Sequence, residues 1–347
     1  MADNTFFTHH EIVDVISDVQ PWDNFLLNFF GMEHHSQDEK IHFDRIADDR
    51  RISVFVNPRR PGQVIKSRGF AVDSYKPGYV KDKRTVDHKH VFNRRPGQPI
   101  QSPLSPSERY AATVVDLAAM QVRSLYRRLE WMAAELLLNG TYDMVGDDLN
   151  VNVDFARKTE NTITLPVAGK WIAANTGVSP IDDIENWLTQ ISSSCKTILF
   201  GQAAWKAFRN DPKFKDALTL ESIRGENSGM TFMPQRNGME DVTYRGTLAS
   251  VGCKLVTYSG TYDHPVTGDE TLFIPEDAVI LVSDSSFGYQ CFASILDADA
   301  DYQTMQYFMK NWVEKDPGIP YLLLQSSPML AHSKINSTLS CRTGAIL

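Results

Sequence analysis

The stretch between Ser105 and Gly140 constrains this 347-residue chain more than any other, because it can form one very long helix. Ser105 supplies an N-cap, Pro106 occupies the first helical position, and Glu108 occupies the third. Gly140 supplies the stop. Between these signals, an apolar stripe recurs at three- and four-residue spacing. Its members are Val114, Leu117, Leu125, Leu129, Met132 and Leu136. About 34 residues at 1.5 Å each make a rod of roughly 50 Å, so the sequence predicts a spine helix over 106–139.

A basic block precedes this helix and is bounded by two copies of the pentapeptide RRPGQ, at 59–63 and 94–98. Residues 59–95 hold eleven cations and three acids, a net charge of +8 in a chain whose total is −8. Pro-Gly turns at both ends and at 76–78, with alternating β-branched residues between them, predict a long two-stranded arm with its turn near 76–78. An isolated ribbon is barely stable in water, so we expect the arm to lie on an acidic surface, such as that of a neighbouring copy. The cations expected to make this contact are Arg59, Arg60, Lys66, Arg68, Lys76, Lys81, Lys83, Arg84, Lys89, Arg94 and Arg95.

The remainder of the chain predicts an α+β protein built around the spine helix. Residues 1–50 fit a partly helical arm, in which the apolar run 23–30 is either a core helix or an anchor on another chain. A strand is predicted at 150–155. Beyond residue 165, helices at 181–192 and 203–210 mix with strands at 197–200, 243–244, 254–258, 271–274 and 279–282. The apolar strand 320–325 is predicted to return and pack beside the spine helix.

Composition and motifs exclude several functional classes. A pI of about 5.6 argues against a protein whose main surface grips nucleic acid. The four cysteines are widely spaced without a CxxC, which predicts reduced and mostly buried thiols. The first residues do not form a signal peptide, and no apolar run is long enough to span a membrane, so we expect a soluble intracellular protein. The sequence contains no GxxxxGK[ST], GxGxxG or GxSxG motif.

Clusters of histidine and acidic residues are weak candidates for a metal site. The pairs at 9–10, 34–35 and 88–90 rarely supply two ligands to one ion, because neighbouring side chains diverge. Residues 148–154 imitate the start of a calcium loop but lack its glycine and its final glutamate, so an alternating strand explains them better. Asp297, Asp299 and Asp301 would share one face of an extended chain. They could bind a cation, meet a neighbour's basic arm, or form a solvated strand edge.

A covalent bond between subunits is a further possibility. A lysine of the arm could attack an asparagine side chain of another copy. The candidates by position are Lys66, Lys76, Lys81, Lys83 and Lys89. The reaction also needs a buried carboxylate to deprotonate the lysine, and the sequence does not place one.

The order of parts, an N-terminal arm, a basic hairpin, a spine helix, an α+β domain and a returning strand, resembles the HK97-type fold of tailed-phage major capsid proteins. Short motifs resemble the lambda-type major capsid protein family in particular, and they occur in the same order over most of the chain. These motifs lie at 62–69, 76–81, 138–142, 182–185, 258–262, 297–300, 310–312 and 325–328.

The resemblance implies an HK97-like α+β capsid fold with no catalytic residue, cofactor or metal. Its parts would be an N-terminal arm (1–50), an extended β-hairpin loop (51–104), a peripheral domain with the spine helix (105–170), an axial domain (171–296), and a return to the peripheral domain with the C-terminus (297–347). The extended loop would lie over the spine of the adjacent subunit, and Asp297, Asp299 and Asp301 are candidate acidic contacts.

The implied function is self-assembly, as hexamers and pentamers, into the icosahedral shell that encloses phage double-stranded DNA. Assembly would take place in the host bacterial cytoplasm, with a scaffolding protein, a portal protein, a decoration protein at threefold positions and the packaged DNA as partners, and without a membrane. The family branch is not generally cross-linked. The alternatives are an encapsulin-like shell that holds protein cargo and a metal-dependent hydrolase that uses the His and Asp clusters.

Overall fold

A computed structural model describes residues 24–38, 40–46, 70–86, 105–146, 149–175, 177–191, 194–214, 235–236, 241–248, 252–283, 288–316, 318–332 and 334–346. Its helices are α1 (Pro106–Asn139), α2 (Pro180–Gln190) and α3 (Gln202–Arg209), with 3-10 turns at Leu27–Phe30, Thr159–Asn161, Val167–Gly169, Ala298–Ala300 and Ile335–Ser337. Its strands are β1 (Met32–His35), β2 (Ile41–Ile46), β3 (Phe70–Tyr75), β4 (Val80–Thr85), β5 (Thr141–Gly146), β6 (Leu149–Asp154), β7 (Thr162–Thr164), β8 (Cys195–Phe200), β9 (Gln235–Arg236), β10 (Val242–Leu248), β11 (Cys253–Tyr258), β12 (Thr261–Asp263), β13 (Glu270–Leu272), β14 (Ala278–Ser283), β15 (Gly288–Phe292), β16 (Phe308–Val313), β17 (Pro320–Ser326), β18 (Pro328–His332) and β19 (Thr338–Arg342).

The spine helix α1 begins and ends where the sequence predicts. The Oγ of Ser105 accepts a hydrogen bond from the backbone N–H of Glu108 (3.3 Å), and the Glu108 carboxylate accepts one from the N–H of Ser105 (2.7 Å). At the other end, Gly140 adopts a left-handed φ of 72° and donates its N–H to the carbonyl of Leu136. These contacts satisfy backbone groups that a helix leaves unpaired at its ends, so both local signals are confirmed.

The first half of α1 packs against the three-stranded sheet β16-β17-β4. Apolar side chains of β16 and β17 meet the helix there, and the buried members of this contact are Ala118, Val122, Leu125, Met309, Leu322 and Leu324. The prediction that 320–325 returns to the spine helix is confirmed. The second half of α1 is buried on most of its sides, because it runs through the largest core of the described residues.

A seven-stranded mixed sheet, in the order β7-β19-β14-β8-β11-β10-β9, forms the second part of the molecule. Alternate residues of β8 face opposite cores: Ile198 and Phe200 face α2 and α3, whereas Leu199 faces the core around α1. All of β14 is buried, as expected for a strand covered on both faces. The predicted helices and strands of this α+β part are confirmed, except that the strand predicted at 271–274 is β13 and ends at Leu272. Strand β19 (Thr338–Arg342), near the C-terminus, also lies in this sheet, where it pairs with β14. The domain boundaries given by the sequence stay a prediction.

The predicted geometry of the arm needs correction. The strands on either side of 76–78 do not pair with each other, because β3 pairs antiparallel with β2 and β4 pairs antiparallel with β17. The two-stranded ribbon is therefore β2–β3, and 76–79 is the crossover at its base. Pro-Gly chemistry permits a chain reversal but does not choose the strands that pair across it. Both RRPGQ copies, and most of the predicted extended loop 51–104, lie outside the described residues.

The described part of the N-terminal region belongs to the core of its own chain. Leu26, Leu27 and Phe30 are buried, and the 3-10 turn Leu27–Phe30 packs against α1, β15 and β18. The core alternative for 23–30 is thus correct for the described residues. All four cysteines are buried and free, as predicted. Within the described ranges, no helix has the length and apolarity needed to cross a membrane.

Candidate assembly surface

The hairpin arm β2–β3 is attached firmly at its base. The Tyr75 hydroxyl donates to the carbonyl of Asp154 (2.8 Å), and Phe43 packs edge-on against Phe155 with ring centroids 5.9 Å apart. Both contacts reach the β5–β6 hairpin, which follows directly after α1. Ile41 pairs with Tyr75 at the base and Ile46 with Phe70 at the outer end, so the 23 residues 47–69 connect the two strands beyond the described ribbon.

Four of the eleven predicted contact cations, Lys76, Lys81, Lys83 and Arg84, lie in the described residues. Lys81 lies over the Tyr79 ring (5.3 Å), and Lys83 lies over the ring of Tyr321 (3.9 Å) as well as that of Trp312 (5.1 Å). Arg84 pairs with Asp82 at 2.9 Å. The fourth, Lys76, occupies the crossover and is exposed. The other seven, Arg59, Arg60, Lys66, Arg68, Lys89, Arg94 and Arg95, lie outside the described residues, so their role stays a prediction.

The acidic triplet at 297–301 is a compact turn rather than an extended edge. Asp297 caps the 3-10 turn Ala298–Ala300, and Asp301 follows in a left-handed conformation. Lys310 bridges two of the carboxylates, at 2.6 Å from Asp297 and 2.8 Å from Asp299. Burial alone would raise the pKa of Asp297, but its hydrogen bonds hold that pKa below the ordinary value. The expectation of three carboxylates on one face is therefore wrong.

This acidic turn is connected to the base of the arm. The Tyr79 hydroxyl donates to Oε1 of the fully buried Gln325 (2.9 Å) and accepts the N–H of Leu296 (3.0 Å). Gln325 in turn donates to Asp297. The network fixes the crossover 76–79 relative to the spine-side sheet, and it gives Asp297 an internal structural role.

Glu130 was not identified from the sequence, although it is a lone acid in the apolar run 129–134. Its carboxylate accepts the backbone N–H groups of Leu26 (2.7 Å) and Leu27 (2.9 Å) and the Tyr258 hydroxyl (3.1 Å). Burial raises its pKa, and these three donors partly oppose that shift. One side chain thus joins the spine helix, the N-terminal turn and strand β11.

Arg157, which was also not identified from the sequence, joins separate elements at the C-terminal end of α1. It donates to the carbonyls of Leu137 (2.8 Å) and Leu138, and to the hydroxyl of Ser340 (2.9 Å) on β19. A Cβ on Gly140 would meet the Cβ of Arg157 at 2.8 Å, so this glycine also allows close packing. No local sequence pattern identifies an arginine that caps a helix from outside it.

The exposed middle of α1 is cationic. Arg123, Arg127 and Arg128 are exposed there, and the exposed acids of the helix, Glu108 and Asp116, lie nearer its N-terminus. This charge does not match the expectation that a basic arm lies on an acidic spine.

The metal and hydrolase hypotheses gain no support from the described residues. None of the described His, Cys, Asp and Glu side chains form a group of three or more able to hold a metal ion. His34 and His35 lie on the exposed strand β1, and 149–154 is strand β6, as the alternation predicts.

Solved structures define the class of this fold. A prophage protein from E. coli CFT073, described as a capsid protein, superposes with a TM-score of 0.73 at 18% identity, covering 97% of this chain and 99% of that one. A phage-related protein from Bordetella bronchiseptica RB50 gives a TM-score of 0.56 at 13% identity, with 97% of both chains covered. The fold is thus the HK97-like α+β fold of viral shell proteins, as the sequence predicts.

Sequence comparison then gives the family. The model for phage major capsid protein E matches residues 8–343, so the chain belongs to that family and is a structural component of a phage capsid. It is 28% identical to the major capsid protein of Escherichia phage lambda over 312 residues, which are 88% of this chain and 89% of the relative. The major capsid protein of Escherichia phage N15 is also 28% identical, over 313 residues, with the same shares covered.

Proposed function

We propose that copies of this chain form hexamers and pentamers of an icosahedral shell, in which the hairpin arm of each subunit lies on a neighbour. The observation that carries this proposal is the β2–β3 ribbon, whose base is anchored to its own chain through Asp154 and Phe155. The connecting residues 47–69 hold six cations and two acids, a net charge of +4. A two-stranded ribbon needs a surface to lie on, and a chain of net charge −8 offers acidic surfaces on its neighbours.

The surface of the neighbour that the basic arm contacts should carry exposed carboxylates, because the cationic middle of α1 would repel the arm. The exposed hairpin β12–β13 carries Asp263, Asp269 and Glu270 around its tip. Asp299 and Asp301 are exposed as well, whereas Asp297 is mostly covered. We therefore propose contacts between the arm of one subunit and these carboxylates of the next.

The other expected partners are also part of this proposal. A scaffolding protein, a portal protein and a threefold decoration protein would act in assembly in the host bacterial cytoplasm, and the shell would enclose double-stranded DNA. The acidic balance of the chain supports a wall that does not retain DNA, because non-specific affinity rises with each cation that faces a phosphate.

Negative-stain electron microscopy of two charge-matched double variants tests the role of the arm. Arg59→Glu with Arg60→Glu changes the arm, and Lys158→Glu with Lys206→Glu makes the same charge change at exposed body positions. We expect normal shells from the wild type and the body variant, and capsomers or free subunits from the arm variant. All three chains are expressed with and without the neighbouring phage genes.

Circular dichroism must show that both variants are folded. Higher salt should weaken assembly that depends on exposed charges, because it screens them. Normal shells from the folded arm variant would exclude the electrostatic part of this proposal, and the absence of shells and capsomers from the wild type under both conditions would exclude assembly by this chain and these genes.

A further inference from the structure

Two of the four buried cysteines, Cys195 on β8 and Cys253 on β11, lie side by side in the seven-stranded sheet. The Sγ of Cys253 donates to the backbone carbonyl of Cys195 at 3.3 Å, and the two thiols are hydrogen-bonded to each other. They are 58 positions apart in the sequence, so the fold alone brings them together. Neither thiol belongs to the arm or to the acidic surface proposed for assembly.

A β-bulge in β8 creates this contact. One step along β14 corresponds to two steps along β8 at this point, so Lys196 is an extra residue in the bulged strand. Without the bulge, the alternation of side chains would point Cys195 away from the face that holds Ile198. With the bulge, Lys196 is exposed and Cys195 lies with Ile198 in the core next to α2 and α3.

Strand β11 places Cys253 at the matching position. The two strands are parallel, and Leu255 pairs with Ile198 on the face that α2 and α3 cover. The preceding side chains on that face are Cys253 on β11 and, because of the bulge, Cys195 on β8. Neighbouring strands lie about 4.7–4.9 Å apart, and the Cα atoms of a disulfide are usually about 4.4–6.8 Å apart. A disulfide between these cysteines therefore needs no change in strand register.

The two sulfur atoms differ in reactivity. The hydrogen bond from Cys195 lowers the pKa of the Cys253 thiol, because it stabilises the thiolate, whereas the same bond and burial raise the pKa of Cys195. Burial raises the pKa of Cys291 and of Cys341 to about 12. The thiolate is the nucleophilic form of cysteine. Cys253 is therefore the sulfur expected to react first with an oxidant, with Cys195 next to it as the second thiol.

We propose that Cys195 and Cys253 are a redox-sensitive pair that closes to a disulfide within one chain when hydrogen peroxide reaches it. The Cys253 thiolate attacks one peroxide oxygen, the O–O bond breaks, and a sulfenic acid forms while the released hydroxide takes up a proton to become water. The Cys195 sulfur then loses its proton and attacks the Cys253 sulfur, so that the S–O bond breaks, the S–S bond forms and a second water leaves.

The reaction balances, because two thiols are oxidised to one disulfide while one peroxide is reduced to two water molecules. A small oxidant is required, since Cys195 is only 8% exposed and Cys253 is fully buried. Hydrogen peroxide meets this requirement, whereas a bulky disulfide such as oxidised glutathione does not.

The disulfide would cross-link two adjacent inner strands of the sheet β7-β19-β14-β8-β11-β10-β9. A cross-link over 58 positions restricts the unfolded chain and so stabilises the folded subunit. Disulfides persist in oxidising places such as the surface of a virion and are rare in a reduced cytosol. The pair is thus expected as two thiols in newly made subunits and as a disulfide in a particle that has left its host.

Thiol alkylation and peptide mass spectrometry of the full-length subunit, before and after hydrogen peroxide, test this pairing. After denaturation in the presence of the alkylating agent, treated wild type should have lost two thiols per chain and should yield a linked Cys195–Cys253 peptide that dithiothreitol separates. These two thiols should be lost on the order of tenfold faster than Cys291 and Cys341. The urea midpoint of the treated protein should rise and should return to its starting value after dithiothreitol.

Single alanine variants separate the roles of the two sulfur atoms. In treated Cys195→Ala, the sulfenic acid at Cys253 has no second thiol beside it, so dimedone should label that position. In treated Cys253→Ala, labelling at Cys195 should be on the order of tenfold weaker. The matched control is Cys341→Ala, which removes a buried thiol from the same core and should still form the linked peptide.

The wild-type result decides the pairing even where an alanine variant fails to fold. Retention of both thiols while Cys291 or Cys341 is already oxidised would overturn the proposal, and so would a linked peptide that joins other cysteines or two chains. Equal dimedone labelling of the two single variants would overturn the assignment of Cys253 as the nucleophile. Because none of these measurements needs a shell, they are independent of the assembly proposal.

Discussion

Replacement of Glu130 by alanine should destabilise the subunit more than replacement of any other acid of α1. The carboxylate satisfies three buried donors, from Leu26, Leu27 and Tyr258, within 3.1 Å. Each buried donor left without a partner costs about 1–3 kcal/mol. Removal of Glu130 also removes the free-energy cost of burying a carboxyl group, which offsets part of this loss. We therefore expect the free energy of unfolding to fall by about 3–5 kcal/mol. The free energy of unfolding of a native protein is typically about 5–15 kcal/mol, so this loss is a large fraction of it.

The variant Glu130→Gln separates hydrogen bonding from charge. Its amide oxygen keeps one acceptor and has no charge to bury, so we expect a loss of only about 1–2 kcal/mol. Burial raises the pKa of Glu130, so ionisation of this group costs stability as pH rises from its ordinary value of 4.5 through the raised one. Glutamine does not ionise, so the stability difference between wild type and Glu130→Gln should narrow as pH rises through that window.

Urea unfolding and hydrogen exchange check both expectations. The matched control is Glu135→Ala, which removes an acid of the same helix whose carboxylate accepts a bond from the Asn139 side chain (2.6 Å) in an exposed position. In Glu130→Ala, the amides of Leu26 and Leu27 should exchange much faster than in the control. Equal unfolding midpoints for the two alanine variants, with unchanged exchange at Leu26 and Leu27, would refute this account of the junction.

Three further substitutions test other buried contacts of the subunit. Arg157→Ala should cost about 3–4 kcal/mol, measured by urea unfolding, because buried carbonyls at the end of α1 lose their donor, and Arg157→Lys should recover less than half of this loss. His332 has a pKa lowered to about 4 by burial and by Arg157, so the subunit should lose about 3 kcal/mol as pH falls from 6.5 through 4, and His332→Phe should remove that part of the pH dependence. Gly288→Ala should cost about 1–3 kcal/mol in thermal unfolding, since its Cβ would lie 2.1 Å from the Phe30 ring; an unchanged melting temperature would contradict the packing of the N-terminal turn.

The hairpin arm shows that local sequence patterns can predict extended chain but not the pairing of its strands. Pro-Gly turns and alternating residues correctly indicated extended chain on both sides of 76–78, and β3 and β4 are there. The pairing partners were wrong, because β2 and β17 are far from the turn in sequence and carry no distinctive signal. Hydrogen bonds between strands are chemically alike, so the choice of partner depends on the side chains each strand buries.

The acidic triplet shows a different limit. Three aspartates at alternate positions satisfy a strand pattern, but the N-cap preference of Asp297 and the left-handed backbone at Asp301 produce a turn. Lys310 and Gln325, which neutralise and orient Asp297, come from β16 and β17. The sequence pattern located these charges correctly, but it could not show which residues pair with them.

The sequence by itself determined the features that depend on neighbours along the chain. The spine helix, with its capping box and its glycine stop, is specified by residues within one or two turns of each end, and the strands of the α+β part follow from short apolar runs. Only the tertiary structure decided which strands pair and that Glu130 and Arg157 join separate elements. Those features depend on groups brought together from 20 to more than 180 positions apart, and a buried charge or donor is stable only where its distant partner is present.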